Sequence, residues 1–238
     1  MASRVEEKKA LRDQRLQHEV EARNARRART LRNRVLLAIS AAVVVLAGLF
    51  AINNAGGGDP TGGGANAGSA KFPYQVGDPG SGQPAPPVQL PATTGAKFEL
   101  SALRGKTVLL YFQEGLGCQP CWDQIKDLER QTAKVKALGI DTTVSITTND
   151  LGQIRQKVSD EGLRTPVLSD SDLVVSKAYG ANQFGMMGDS RDGHSFVVVG
   201  PDGRIRWRAD YGGAPKYTMY VPMDNLLADM RKGLAGGA

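Results

Sequence analysis

Two cysteines within Glu114–Trp122 are the residues whose types and spacing are best suited to chemistry. The segment reads EGLGCQPCW, and Cys118 and Cys121 are the only cysteines in the 238 residues. A thiol pair separated by two residues suits three roles: redox chemistry, a disulfide staple, or part of a metal site. Each role places different demands on the rest of the chain.

The position of Cys118 favours redox chemistry. It follows the apolar run Thr107–Phe112, which is typical of a strand buried on both faces, and it precedes a helical pattern. Pro120 suits the first turn of that helix, where its missing N–H costs nothing. Helix N-termini favour thiolates, and Cys-x-x-Cys thiols in such positions have pKa values depressed to roughly 3.5–7.5. We therefore predict that Cys118 attacks and that Cys121, one turn later, resolves the intermediate.

The staple and the metal site are less well supported. A bridge across two residues constrains little chain entropy, so it is a poor staple. A zinc site needs about four ligands, and only His194 joins the two cysteines on the same side of the predicted membrane segment. No metal and no other cofactor is therefore predicted. A third hypothesis, from another class of function, stays open. It is a binding or metal-delivery module that uses the thiols as soft ligands for a metal such as copper.

Alternating strand and helix patterns must position this pair. Pro87–Leu90 and Lys97–Leu100 are typical of a hairpin. The other predicted strands are Thr107–Phe112, Asp141–Thr147, Ser195–Gly200 and Arg204–Arg208, and the predicted helices are Cys121–Leu138, Leu151–Asp160, Leu173–Tyr179 and Met223–Leu234. This order predicts an α/β domain in which helices flank both faces of a mixed central sheet.

Four stretches of this domain carry a family resemblance. They are APPVQLPATTGAKFELSALRGKTVLLYF, GCQPCW, TPVLSD and FVVVGPDGRI. Together they resemble the redoxin family, the alkyl hydroperoxide reductase/thiol-specific antioxidant branch of the thioredoxin-like proteins, over about residues 84–210. The resemblance implies a thioredoxin-like fold with Cys118 as the nucleophile. It implies a thiol–disulfide oxidoreductase acting on a protein disulfide or dithiol, or alternatively a peroxidase that reduces hydroperoxides.

The chain departs from this family at four positions around the pair. Peroxidase members carry a Pro-x-x-x-Thr-x-x-Cys motif, and the matching positions here are Tyr111 and Gly115. Thioredoxins have Trp before the first cysteine, where this chain has Gly117. The position of their cis-proline, directly before a strand, matches His194. The missing threonine weighs against the peroxidase.

His194 and Glu114 are the further candidate site residues. At the matched position His194 would lie close to Cys118, where an imidazolium favours the thiolate and an imidazole accepts a proton. Glu114 and its neighbour Gln113 flank the site and could shuttle a proton or donate a hydrogen bond. Each candidate also has a structural interpretation. His194 could bond to the backbone of a loop, and Glu114 could be an ordinary polar residue of a loop. The methionines of Phe184–Gly193 suit an adaptable contact surface.

The N-terminal third has a different organisation. Residues 1–34 hold eleven Lys/Arg and five Asp/Glu, which accounts for the net charge of +6, so the basic pI gives no reason to expect nucleic-acid binding. Residues 35–52 contain no charge and match the length of a transmembrane helix. The positive-inside rule then predicts a basic cytoplasmic tail (1–34), a single membrane span (35–52), a Gly/Pro-rich flexible linker (53–83) and an extracytoplasmic redoxin domain (84–238). A cleaved signal peptide is the rival interpretation.

Overall fold

The apolar run predicted as a buried strand lies at the centre of a five-stranded sheet. The computed structural model describes residues 67–69 and 71–236. In that part of the chain the strands are β1 (Ala67–Gly68), β2 (Pro73–Tyr74), β3 (Gln89–Pro91), β4 (Lys97–Glu99), β5 (Val108–Phe112), β6 (Thr142–Thr147), β7 (Val167–Ser169), β8 (Ser195–Val199) and β9 (Ile205–Asp210). The five-stranded sheet has the order β7-β6-β5-β8-β9. β5, β6 and β7 are parallel, whereas β8 is antiparallel to both β5 and β9. The sheet is mixed, as predicted.

Helices cover both faces of this sheet. They are α1 (Gln119–Arg130), α2 (Thr132–Lys136), α3 (Leu151–Asp160), α4 (Val174–Ala178) and α5 (Met223–Gly236). Successive side chains of β5 point to opposite faces. Leu109 and Tyr111 join a core with residues of α1, α3 and α5, and Leu110 and Phe112 join a second core with residues of α4 and of the β3–β4 hairpin. The prediction of a strand buried on both faces is confirmed.

The predicted elements differ from the structure in two respects. The single helix predicted over Cys121–Leu138 is divided into α1 and α2, because Gln131 leaves the helical conformation (φ −107°, ψ 24°). The Thr132 hydroxyl donates to the carbonyl of Glu129 at 2.6 Å and so satisfies a terminal group of α1. Strand β7 was not predicted, because three residues are too few to show a pattern.

The last part of the predicted flexible linker is ordered against the sheet. Residues 71–83 belong to the described chain, and Tyr74 is buried between Trp207 and Tyr211. Gln75 exchanges two backbone hydrogen bonds with Asp210 of β9 at 2.9 and 3.0 Å. The linker boundary at residue 83 therefore needs correction: the domain begins by about residue 71. Composition missed this because backbone pairing to an edge strand does not require a characteristic sequence.

The predicted membrane anchor lies outside the described residues, together with the basic tail and residues 53–66 and 70 of the linker. Among residues 67–69 and 71–236, no helix is both long enough and apolar enough to cross a membrane.

Candidate active site

The loop between β5 and α1 carries the first cysteine and is fixed by side chains from three directions. The Gly115 N–H donates to Gln113 Oε1 at 2.8 Å, and the Leu116 N–H donates to Asn149 Oδ1 at 2.9 Å. The Gly115 carbonyl accepts from Trp122 Nε1 at 3.0 Å, so buried Trp122 of α1 is bonded to the loop. These contacts hold the chain where it turns from the sheet into the helix.

Cys118 and Cys121 form a disulfide at the start of α1. Cys118 is the N-cap residue, and its carbonyl accepts from the Cys121 N–H at 3.0 Å. The Cys118 side chain is 6% exposed and that of Cys121 is fully buried. Cys118 is therefore the more exposed of the two cysteines, and the N-terminal end of the helix dipole favours its thiolate after reduction. The assignment of Cys118 as the attacking and Cys121 as the resolving cysteine stays a prediction.

Gly115 occupies the position of the peroxidase threonine, and the structure leaves no room there for a side chain. Its φ of +96° is rarely adopted by residues other than glycine. A Cβ atom at this position would lie 1.7 Å from Asn149 Oδ1 and 2.6 Å from Thr147 Oγ1. The backbone conformation of the loop therefore does not accommodate the threonine of the peroxidase motif.

His194 reaches the site through Tyr111. It directly precedes β8, and because Ser195 pairs with Phe112, it lies where the active-site loop leaves β5. The Tyr111 hydroxyl is 2.9 Å from His194 Nδ1 and 3.3 Å from the carbonyl oxygen of Cys121. Tyr111 and His194, two of the four positions at which the chain departs from the family it resembles, are therefore bonded to each other beneath the first turn of α1.

Burial determines the ionisation of this pair. It lowers the pKa of His194 to about 3, so the imidazole is neutral at neutral pH. It also raises the pKa of Tyr111 well above its ordinary value, and the Glu114 carboxylate raises it further. If Nδ1 carries the proton, Nδ1–H donates to the Tyr111 oxygen and the Tyr111 hydroxyl donates to the Cys121 carbonyl. His194 Nε2 has no hydrogen-bond partner among the described residues.

Glu114 contacts the segment Phe184–Gly193, here called the methionine loop, rather than the sulfur atoms of the two cysteines. Its carboxylate accepts from the Met186 N–H at 2.6 Å. The side chains of Met186 and Met187 are each 56% exposed, which leaves both available for contact with a partner. Glu114 thus links the active-site loop to the segment Phe184–Gly193. The sequence identified both features without indicating that they touch.

Met219 is the site residue that the sequence did not identify. It lies in the aromatic, glycine-rich stretch Tyr211–Tyr220, which has no clear periodicity. In the structure it packs with Cys118 and Cys121 in a small cluster of its own, and it is 7% exposed. In the described part of the chain, no group of three or more His, Cys, Asp and Glu side chains is arranged to hold a metal ion.

Comparison with known proteins identifies the family. Residues 81–208, more than half of the chain, match the AhpC/TSA family. The chain belongs to this family. The predicted family and the predicted oxidoreductase class, with peroxidase chemistry as an alternative, are confirmed at this level.

Two relatives of this chain are named for different activities. It is 31% identical over 98 residues to the thiol-disulfide oxidoreductase ResA of Bacillus subtilis, a match covering 41% of this chain and 54% of ResA. It is 30% identical over 127 residues to a Mycobacterium tuberculosis protein provisionally named a peroxiredoxin, covering 52% of this chain and 80% of that protein. The chain thus spans about half the length of ResA.

Solved peroxiredoxin structures share the fold. Peroxidoxin BcpB of Mycobacterium tuberculosis matches with a TM-score of 0.53 at 19% identity, covering 64% of this chain and 97% of that one. The reduced 2-Cys peroxiredoxin of Plasmodium vivax matches with a TM-score of 0.53 at 18% identity, covering 63% of this chain and 79% of that one. These identities are low, so the matches show the thioredoxin-like α/β fold alone.

Proposed function

We propose that this protein is a thiol–disulfide oxidoreductase whose reacting group is Cys118 and whose resolving group is Cys121. One observation carries the proposal: the two cysteines are bonded to each other at the N-terminus of α1, with Cys118 the more exposed. The substrate class is a protein that carries a disulfide or a dithiol.

The exchange runs in two balanced steps. The Cys118 thiolate attacks one sulfur of the partner disulfide, the partner S–S bond breaks, and one partner thiolate leaves. The Cys121 thiolate then attacks the Cys118 sulfur of the mixed disulfide and displaces the second partner thiolate. The partner gains two electrons, and the enzyme ends as the Cys118–Cys121 disulfide. With a dithiol partner the same steps run in reverse.

The surrounding residues act in this proposal as positioning groups. The Tyr111 hydroxyl holds the carbonyl of Cys121, and with it the first turn of α1, while the His194 imidazole is bonded to that hydroxyl. A neutral imidazole supplies no charge to a thiolate, so we assign His194 to positioning rather than to charge stabilisation. Glu114 holds the methionine loop beside the site.

Trapping with Cys121→Ser tests this function. Without the resolving thiol, the mixed disulfide through Cys118 persists, so the variant should accumulate covalent adducts that migrate slowly on non-reducing gels and disappear with reductant. Cys118→Ser is the matched control and should give few adducts. Equal trapping by both variants, or none by either, would contradict the assigned roles.

A peroxidase is the second candidate, favoured by the family and by the mycobacterial relative named as a peroxiredoxin. Here the Cys118 thiolate would attack a hydroperoxide, leaving a sulfenic acid on Cys118 and releasing the alcohol or water. Cys121 would then condense with the sulfenic acid to form the disulfide and release one water. The lack of space at Gly115 weighs against this. We expect stopped-flow mixing with hydrogen peroxide to consume the Cys118 thiol no faster than a free cysteine of the same ionisation.

We also propose that the domain is anchored outside the cytoplasmic membrane. Support comes from the uncharged residues 35–52 and from the excess of Lys and Arg in residues 1–34. The anchor would hold the thiol pair in an oxidising compartment, where partner disulfides occur.

A further inference from the structure

Three sulfur-containing side chains meet at the start of α1. Cys118, Cys121 and Met219 pack together, separately from the two large cores on the faces of the sheet. Disulfide exchange needs only the two cysteines, so the reaction leaves the thioether of Met219 without a role. Its sulfur is a weak acceptor with soft, polarisable electrons.

Hydrogen bonds to α1 itself fix the position of Met219. The Val221 N–H donates to Gln124 Oε1 at 2.8 Å, and the Tyr220 hydroxyl donates to the Asp127 carboxylate. On the other side, the Thr218 N–H donates to the Tyr211 carbonyl at 3.1 Å. Because α1 also carries Cys121, the segment that bears Met219 is bonded to the helix that bears the thiol pair before any ligand arrives.

The chemistry of this donor set selects one class of metal. Thiolates and thioethers are soft ligands that suit monovalent copper, whereas zinc sites use Cys, His and carboxylate ligands, about four of them. Across residues 67–69 and 71–236 no cluster of three such zinc-type side chains is present. Two thiolates and one Cu(I) carry a net negative charge, which the N-terminus of the twelve-residue helix α1 favours.

We propose that the dithiol form of this protein binds one Cu(I) through Cys118, Cys121 and Met219. Binding replaces the protons of the two thiols and leaves the oxidation states of copper and sulfur unchanged. The disulfide form offers no thiolate, so the site is present only after reduction. This inference does not depend on the proposed exchange reaction: a chain that forms no mixed disulfide would still bind Cu(I), and the reverse also holds.

The test uses purified full-length protein, reduced and then freed of reductant under nitrogen. It is titrated against the coloured Cu(I) complex of bicinchoninate. The wild-type chain should withdraw one Cu(I) per molecule, and Met219→Leu, which keeps the volume and apolar character, should bind at least about tenfold more weakly. Met187→Leu is the matched control, because Met187 is exposed and outside the sulfur cluster, and it should bind like the wild type.

X-ray absorption at the copper edge counts the sulfur atoms bound to copper, and the wild-type spectrum does not depend on the folding of any variant. The wild-type complex should show three sulfur neighbours, and Met219→Leu should show two. Two sulfur neighbours in the wild type, with or without a nitrogen, would overturn the role of Met219, as would equal affinities of the wild type and Met219→Leu. Failure of the reduced wild type to take Cu(I) from bicinchoninate would overturn the site as a whole. Mixed-disulfide trapping by Cys121→Ser reports separately on the exchange function.

Discussion

At the residue scale, Gly115 determines which thiol chemistry this loop supports. Its carbonyl accepts from Trp122 Nε1 and from the Cys118 N–H, both at 3.0 Å, and its Cα faces the Asn149 side chain. Gly115 makes these contacts with a positive φ that residues other than glycine rarely adopt. A threonine could enter only if Asn149 moved, and Asn149 also holds the Leu116 N–H. The loop is therefore organised for a Cys-x-x-Cys pair without the peroxidase threonine.

We expect Gly115→Ala to lower the free energy of unfolding by about 2–4 kcal/mol, since it combines backbone strain with a steric clash. Gly117→Ala is the matched control, because a Cβ there meets nothing within 4 Å. It should change the free energy of unfolding by less than about 1 kcal/mol. Urea unfolding followed by tryptophan fluorescence measures both. Equal stabilities of the two variants would contradict the account of the loop.

His194 should make the protein sensitive to acid. Its pKa is about 3 in the folded chain and about 6.5 in the unfolded chain, so the unfolded state binds the proton first. The folded state is therefore fully favoured above pH 6.5, and this contribution is lost as the pH falls toward 3. At pH 4.5 the loss amounts to roughly 2–3 kcal/mol. His194→Gln should remove it.

The measurement compares urea unfolding of the wild type and His194→Gln at pH 7 and pH 4.5. The neighbouring Asp192 contributes to the pH dependence of stability with the opposite sign. Burial raises the pKa of Asp192 well above its ordinary value; the Ser176 hydroxyl lowers this pKa and the nearby Asp170 raises it. Asp192 is present in both chains, so its effect cancels in the difference. If both proteins lose the same stability between the two pH values, the assignment to His194 is wrong.

At the element scale, both edge strands of the sheet are covered by segments that precede β5. Ala92, beside β3, bridges to Leu168 of β7, and Gln75 bridges to Asp210 of β9. The N-terminal segment also supplies hydrogen-bond partners to the buried ion pair of Arg208 and Asp210. The Gly77 N–H donates to Asp210 at 2.7 Å, and Arg208 donates to the Pro79 carbonyl at 3.0 Å. Exposed edges favour association with other chains, so this cover also protects the fold.

Removing the N-terminal cover should destabilise the domain. We expect a chain beginning at Pro84 to be less stable than one beginning at Lys71 by at least about 3–5 kcal/mol, because it loses the packing of Tyr74 and leaves the Arg208–Asp210 pair without its backbone partners. Urea unfolding of the two truncated chains measures the difference. Equal midpoints would show that residues 71–83 are dispensable.

At the scale of the whole molecule, charge and hydrophobicity are segregated along the chain. Residues 1–34 carry the entire excess of positive charge, and residues 35–52 carry none. Juxtamembrane Lys and Arg side chains determine orientation because they resist transfer across the bilayer. In the proposed orientation, with residues 35–52 as a membrane span, the redox pair would lie on the side where thiols meet oxidising conditions.

Labelling tests this orientation. In a chain with both Cys118→Ser and Cys121→Ser, Asp59→Cys should react with a membrane-impermeant maleimide in intact cells, whereas Glu21→Cys should react only after lysis. Deletion of residues 35–52 should move the protein from the membrane pellet to the soluble fraction. Labelling of both positions only after lysis would place the domain in the cytoplasm and contradict the proposal.

The sequence by itself determined most of the elements and the location of the thiol pair. Apolar β5, the patterns of α3 and α5, and the spacing of Cys118 and Cys121 depend on near neighbours in the chain, so local sequence is enough to predict them. The departures at Tyr111, Gly115 and His194 were also visible, because each occupies a defined position relative to a motif or a strand.

Only the tertiary structure decided what these residues touch. Tyr111 and His194 are 83 residues apart, and their hydrogen bond exists because β5 and β8 pair side by side. Met219 lies about one hundred residues beyond Cys118 and reaches it because Val221 is bonded to α1. The order of residues 71–83 likewise depends on pairing with β9. Contacts between segments distant in the chain arise from sheet pairing and side-chain packing, and no short stretch of sequence encodes them.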